Sequence, residues 1–379
     1  MNILLVTPDY PDKNRSVYTF VKQVAEQFVI QGHNCCVLAP YSITKNKSFY
    51  KKVIVEDVQS GGSITVLRPN HISLSNLKIS GFSPSTFFRN RAIKRALKQV
   101  PFNIDVVYAH FWRSGIEIYP FAKSKGLPLF VASGESQIPQ GDINPRFSDF
   151  YDYVSGVICV STKNMEESIG NGMTSKEKCI VLPNAVNNHL FRLKDKALCR
   201  KQLNLPQDFF IVAFCGAFIH RKGVGVLSSA LDSIDDKPVY SLFIGRPLEE
   251  LPTCKNILCK GPIPHNEIPT YLNAADIFVL PTLKEGCCNA IIEAMACGLP
   301  VVSSDRSFNW DVLNSNNSIL VDPEDSKQVA DSIIKLRDNK ELRMALSKGS
   351  LEMAKELTIE KRVQQIIDFI KNIIIYQYD

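Results

Sequence analysis

The sequence predicts an α/β protein made of two Rossmann-like, doubly wound domains, and three observations carry that expectation. Short β-branched apolar runs recur along the whole chain and alternate with stretches of helical periodicity. The 379 residues exceed one typical domain, so two of comparable size are expected. The runs also fall into two sets on either side of a polar, Lys-rich segment, residues 192–207, which contains Pro206. Alternating strands and helices build parallel sheets covered on both faces, and ligands bind beyond the carboxyl ends of such strands.

In the first set, NILLVTP (2–8), CCVLAP (35–40), ITVLRP (64–69), IDVVYAH (104–110), PLFVAS (128–133) and VSGVICVS (154–161) read as strands. A helix over residues 17–30 ends near Gly32, which suits the left-handed position past a helix C-terminus. Residues 86–100, TFFRNRAIKRALKQV, form an amphipathic helix. From Phe88, the residues Ala92, Ile93, Ala96, Leu97 and Val100 share one half, while Arg91, Lys94, Arg95 and Lys98 share the other. The apolar half suits a sheet face. The basic half, with Phe87 and Phe88, suits an anionic lipid surface. In the second set, FFIVAFCGAF (209–218), YSLFIG (240–245), DIFVLPT (276–282), LPVVSSD (299–305) and SILVDP (318–323) are the strands. A helix over residues 289–297 is closed by Gly298 and stopped by Pro300. Domains are expected over residues 1–190 and 191–355, with residues 356–379 as a closing helix.

Composition narrows the function. Hydrophobic residues at 45% and charged residues at 22% describe a folded globular protein rather than a disordered one. The opening MNILLVTP has no basic stretch before its short apolar run and reads as a buried strand, not a signal peptide. No apolar segment is long enough to span a bilayer, so a cytoplasmic protein is expected, with peripheral membrane contact through the basic helix. The 11 cysteines form no CxxC pair, and they read as buried reduced thiols. Cys254 and Cys259 lack a second pair or a histidine cluster, so no metal site is expected. The net charge of +6 allows phosphate-bearing ligands or anionic lipid without requiring nucleic acid. No GxGxxG follows the first strand, which speaks against a dinucleotide oxidoreductase.

The stretch EGCCNAIIE, residues 285–293, puts one carboxylate in a strand-to-helix loop and another about a turn inside the helix. Gly286, Cys287, Cys288 and Asn289 offer backbone N–H groups at a helix start, where anions bind. Glu285 and Glu293 can each accept paired sugar hydroxyls. They can equally be an acid complementing the helix dipole and an ordinary helix residue. His110 ends a strand and so stands at a ligand-binding edge, although a lone histidine can also be structural. His33 and His265 lie beside turn or cap residues and read as structural, and His220 is open.

The longer run PTLKEGCCNAIIEAMACGLPVVSSD resembles the signature of the family 4 retaining glycosyltransferases, also described as glycosyl transferases group 1, which have the GT-B fold. Glu285, Gly286, Asn289, Glu293, Ala294, Met295, Ala296, Gly298, Pro300, Val301 and Val302 carry the resemblance. PDYPDKNRSVYTFVKQVAEQFVIQGHNCCVLAP, DVVYAH, IVLPNAVNNHLF, GAFIHRKG and SILVDPED extend it over the chain. The resemblance implies two Rossmann-like domains facing across a cleft, with the last helix crossing back to the first. It implies sugar transfer from a nucleotide-diphosphate sugar to a saccharide or lipid-linked acceptor hydroxyl, without a cofactor or metal. Gly216, Arg221, Lys222, Gly286, Cys287, Cys288, Asn289 and Glu293 would bind the donor, with Glu293 on the ribose. Glu285 would hold sugar hydroxyls, Arg221 and Lys222 would serve the leaving diphosphate, and His110 would face the sugar. Three places depart from the pattern. Ala217 stands where many relatives have arginine, Ala185 and Asn187 stand for Gly and Asp, and residues 12–16, DKNRS, replace paired glycines. A GT-B sugar-nucleotide epimerase and a non-catalytic sugar-nucleotide-binding partner are the alternatives.

Overall fold

Parallel strands need long crossovers, and helices laid over both faces of the sheet supply them. The protein, seen in a computed structural model that describes residues 1–12, 18–44, 51–59, 61–74, 84–138 and 147–378, has that arrangement twice. It divides into two compact units. The first comprises Met1–Val160, Asn164–Leu182 and Val363–Asp379, and the second comprises Ser161–Lys163 and Pro183–Arg362. These limits differ from the expected 1–190, 191–355 and 356–379. Val186 is the reason: its N–H donates to Leu357 O at 2.8 Å and its carbonyl accepts from Ile359 N at 3.1 Å. Both ends of the second unit are tied together, so the divisions fall at Leu182 and Arg362.

The first part of the chain gives β1 (Asn2–Val6), α1 (Thr19–Ile30), β2 (Asn34–Leu38), β3 (Tyr41–Ser42), β4 (Val53–Asp57), β5 (Ser63–Leu67), β6 (Asn70–His71) and α2 (Pro84–Ala96). There follow β7 (Val106–His110), α3 (Trp112–Lys125), β8 (Leu129–Ser133), α4 (Ser148–Tyr153), β9 (Gly156–Cys159), α5 (Thr162–Gly170) and β10 (Cys179–Val181). The main sheet runs β10-β9-β8-β7-β1-β2-β5-β4, parallel except for β4, which pairs antiparallel with β5 at the edge. Strand order reverses between β1 and β7, and a crevice at such a switch point is where open α/β sheets bind ligands. Every residue of β7 and β8 is buried. β4, by contrast, is exposed or half-buried throughout and lacks the continuous apolar run that marks the other strands.

In α2, Ile93 and Ala96 are buried, and Leu97 and Val100 pack on the same core. Arg91, Lys94, Arg95 and Lys98 are exposed. Phe87 and Phe88 are exposed as well, edge to face at 5.7 Å, so Phe88 stands off the apolar half that it begins on the helical wheel. Residues 13–17, which include most of the DKNRS departure and the expected start of the first helix, lie outside the described residues.

The second part gives α6 (Lys196–Gln202), β11 (Phe210–Cys215), α7 (Val224–Asp232), β12 (Val239–Ile244), β13 (Ile257–Gly261), α8 (Ile268–Ala274) and β14 (Ile277–Leu280). It continues with α9 (Asn289–Ala296), β15 (Val301–Ser304), β16 (Ser318–Val321), α10 (Ser326–Asp338), α11 (Lys340–Glu356) and α12 (Ile359–Tyr378). Its parallel sheet runs β13-β12-β11-β14-β15-β16, with the switch point between β11 and β14. From Val363, α12 belongs to the first unit, where Phe369 meets Phe130 edge to face at 6.0 Å. Gly156 makes room for it: a Cβ there would lie 2.8 Å from Ile373 Cδ1 and 2.9 Å from Phe369 Cε1. Among the described residues no helix is long and apolar enough to cross a membrane.

Candidate active site

The loops after β11 and β14 meet at the second unit's switch point. Gly216 and Ala217 leave β11, a 3-10 turn over His220–Lys222 follows, and Gly223 precedes α7. Gly223 has φ +73°, and a Cβ on it would lie 2.1 Å from Pro281 O. Only glycine therefore lets the two loops touch. Leu283 N donates to Arg221 O at 2.8 Å, and Thr282 Oγ1 donates to the same carbonyl at 3.1 Å.

This approach sets Glu285 against both cations that the sequence singles out. Glu285 Oε1 lies 2.9 Å from Arg221 Nη1 and 2.6 Å from Lys222 Nζ, and it accepts from Thr282 Oγ1 at 3.0 Å. Oε2 takes none of these three bonds. Arg221 also donates to Lys284 O. The Glu285 and Lys222 side chains are 12% and 13% exposed, so their attraction is weakly screened. Burial is the largest influence on Lys222 and opposes its charge, but Cys288 and Glu285 outweigh it and hold the ammonium pKa above its ordinary value. Burial also raises the Cys288 thiol. Two cations on one carboxylate leave a net positive site.

Beside this cluster, α9 begins at Asn289 with Cys288 as its cap residue, whose side chain makes no capping hydrogen bond to the helix. Asn289 Oδ1 is buried without a hydrogen-bond partner. Cys287 O accepts from Asn184 Nδ2 at 2.9 Å, and burial pushes the Cys287 thiol up to about 12. Cys288 Sγ lies 3.7 Å from Lys222 Nζ, a side-chain role beyond the backbone one that the sequence suggests. Gly286 is buried in the loop between the cations and the helix. Within α9, Glu293 Oε1 lies 3.2 Å from His265 Nε2. That hydrogen bond raises the His265 pKa, against the opposing effect of burial. His265 is thus the partner of an expected ribose-binding acid, which its turn-like sequence setting did not reveal.

His110 lies in the first unit, at the end of β7, buried between the rings of Phe20 at 5.0 Å and Phe111 at 4.6 Å. Phe111 has φ +81°, a strained conformation for a side-chain-bearing residue. A residue that sequence reasoning missed fixes the turn: Glu135 accepts from Trp112 N at 2.9 Å and from Gly134 N at 3.0 Å. The signal was an acid two residues past the strand PLFVAS.

Residues 195–353 match the family described as glycosyl transferases group 1. TuaC of Bacillus subtilis, assigned to teichuronic acid biosynthesis as a glycosyltransferase, is 26% identical over 360 residues, covering 88% of each chain. The N,N'-diacetylbacillosaminyl-diphospho-undecaprenol alpha-1,3-N-acetylgalactosaminyltransferase of Campylobacter jejuni is 26% identical over 273 residues, covering 67% of this chain and 72% of its own. Sucrose-phosphate synthase of Thermosynechococcus elongatus superimposes with a TM-score of 0.78 at 19% identity over 99% of both chains. The chain has the GT-B fold. The contacts made by Thr282, Asn184, His265 and Cys288 Sγ were not readable from the group 1 signature, and the site's two cations stand at Arg221 and Lys222, with none at Ala217.

Proposed function

We propose that the protein is a retaining glycosyltransferase that moves a sugar from a nucleotide-diphosphate sugar to an acceptor hydroxyl in the synthesis of a cell-surface or lipid-linked glycan. The observation that carries the reading is the Arg221–Lys222–Glu285 cluster at a switch point beside the start of α9. The names of the relatives from Bacillus subtilis and Campylobacter jejuni support the glycan class.

As the bond from the anomeric carbon to the diphosphate breaks, negative charge grows on the leaving phosphate. Arg221 and Lys222 neutralise it, one through a planar fork and one as a point charge, without a metal ion. Drawn toward phosphate, the cations leave Glu285 Oε1, and the carboxylate accepts donor-sugar hydroxyls. The backbone at Gly216, Gly286, Cys287, Cys288 and Asn289 holds the donor, and Glu293, oriented by His265, takes the ribose. His110 contacts the transferred sugar. The acceptor oxygen attacks the face that the diphosphate leaves, and its proton passes to the departing phosphate oxygen, so configuration is retained. The exposed face of Arg91, Lys94, Arg95 and Lys98, flanked by Phe87 and Phe88, rests on anionic lipid.

The test incubates purified protein with UDP-, GDP- and ADP-sugars, with and without membrane lipid extract, in chelator. Acceptor-dependent nucleotide release with retained configuration is expected. Release without acceptor would favour epimerase chemistry, and tight binding with no turnover under any acceptor would sink transfer.

A further inference from the structure

The loop after β12 carries a cation that the Arg221–Lys222–Glu285 cluster does not include. Gly245 follows that strand so close to its neighbour that a Cβ on it would have no room against Gly216 O. Arg246 comes next, with its side chain exposed. β11 and β12 pair in parallel up to Cys215 opposite Ile244, and a further bridge sets Phe218 opposite Pro247, with Phe218 N donating to Arg246 O at 2.8 Å. Ala217 therefore stands opposite Arg246, and partners in a parallel pair turn their side chains to one face of the sheet. Cys215, two residues earlier on that face, has its thiol raised by burial first and then by Glu293 and Cys288, with Lys222 opposing, so this is the face turned to the cluster and to α9. Ala217 brings no charge there. Arg246 does, and an arginine side chain is longer than the roughly 4.8 Å between neighbouring strands.

The charges say what such a cation would meet. Arg221 and Lys222 share Glu285 Oε1, so both have to leave a carboxylate before they can serve a phosphate. Arg246 makes no ion pair among the described residues. The two acids of its own loop are committed to His220: Glu249 Oε2 accepts from His220 N at 3.2 Å, and Glu250 Oε1 lies 3.2 Å from His220 Nδ1. An anion thus gains the Arg246 fork without breaking any pair. Three cations against one carboxylate repel one another until a ligand of more than one negative charge joins them.

We propose that Arg246 is a third cation for the donor's diphosphate, gripping it from the β12 side while Arg221 and Lys222 meet it from the β11 side. That the ligand is a sugar donor rests on the glycosyl-transfer reading. The cation site itself rests on the register and the charges.

Calorimetric titration of the full chain with UDP, GDP, ADP and inorganic pyrophosphate tests it, and saturation-transfer NMR follows the nucleoside of the diphosphate that binds best. Arg246→Ala is expected to weaken that diphosphate and pyrophosphate about tenfold and to leave the nucleoside unchanged. Arg246→Lys recovers part of the loss as a point charge, and added salt erodes wild-type affinity more steeply than that of Arg246→Ala. The side chain is exposed, so the alanine variant should keep its melting temperature; if it melts lower, Arg246→Gln, which keeps the stem, repeats the measurement. Undiminished diphosphate affinity without the guanidinium would overturn the proposal, and so would an equal loss for nucleoside and diphosphate, which would put Arg246 on the base. If nucleotide sugars turn over and Arg246→Ala binds diphosphate as well as the wild type, this inference fails and glycosyl transfer stands. If Arg246→Ala weakens diphosphate and pyrophosphate while no nucleotide sugar is turned over, the reverse holds. No binding of any of the four ligands to the wild type would sink both.

Discussion

Glu285 is the residue on which the site turns, because its Oε1 already occupies the two cations that a diphosphate would need. Removing its charge should therefore separate binding from chemistry. In Glu285→Gln, transfer is expected to disappear while binding of free UDP tightens, read by calorimetric titration; weaker UDP binding would show that Glu285 does not compete for Arg221 and Lys222. Stability should fall by about 1–3 kcal/mol, since the largely buried Lys222 loses its counter-charge. His265 offers a pH signature. Its folded pKa lies above the unfolded value of 6.5, so its pair with Glu293 contributes stability that is complete below pH 6.5 and is lost as pH rises through the folded pKa. An NMR titration should show that raised value in the wild type, and Glu293→Gln should lower it. These residues were legible in the sequence, but their pairing was not. Glu285 and Arg221 are 64 residues apart, and only the adjacency of β11 and β14, which no local pattern encodes, brings them together.

The elements most easily read were those buried on both faces, such as β7, β8 and β14, whose continuous apolar runs leave no other reading. Missed elements lie at edges. In β4 exposed and half-buried residues alternate and the run ends in two acids, and β13 closes the other sheet with no buried residue. The closures between elements were also hidden, because a glycine in a loop does not say what it touches. Gly223 touches Pro281, and Gly223→Ala should lower stability by at least about 1 kcal/mol in chemical denaturation, since both its φ and its space are wrong for a side chain. Weakened nucleotide-diphosphate binding should accompany it, because the same contact sets Arg221 and Lys222 beside Glu285. A variant of full stability and affinity would show that the two loops can part without consequence.

At the scale of the molecule, the chain passes between its units at residues 160–164, 182–183 and 362–363, so the first unit is assembled from three segments and completed by α12. The second unit's long segment, Pro183–Arg362, contains its whole sheet and the whole group 1 match. Two separate cores need not melt as one, and a single transition is not the expectation for such a chain. Val363, Ile366, Ile367 and Ile370 are buried, and Phe369 covers Phe130, so ending the chain after Arg362 strips the first unit's sheet while leaving the Arg221–Lys222–Glu285 cluster intact. Calorimetry should then show the first unit's transition lowered or lost and the second retained. A cognate nucleotide sugar at one hundred times its Kd should stabilise the retained transition by about 2.7 kcal/mol. Equal loss of both transitions, or a nucleotide effect that vanishes with α12, would mean that donor binding depends on the first unit and does not reside in the second-unit cluster.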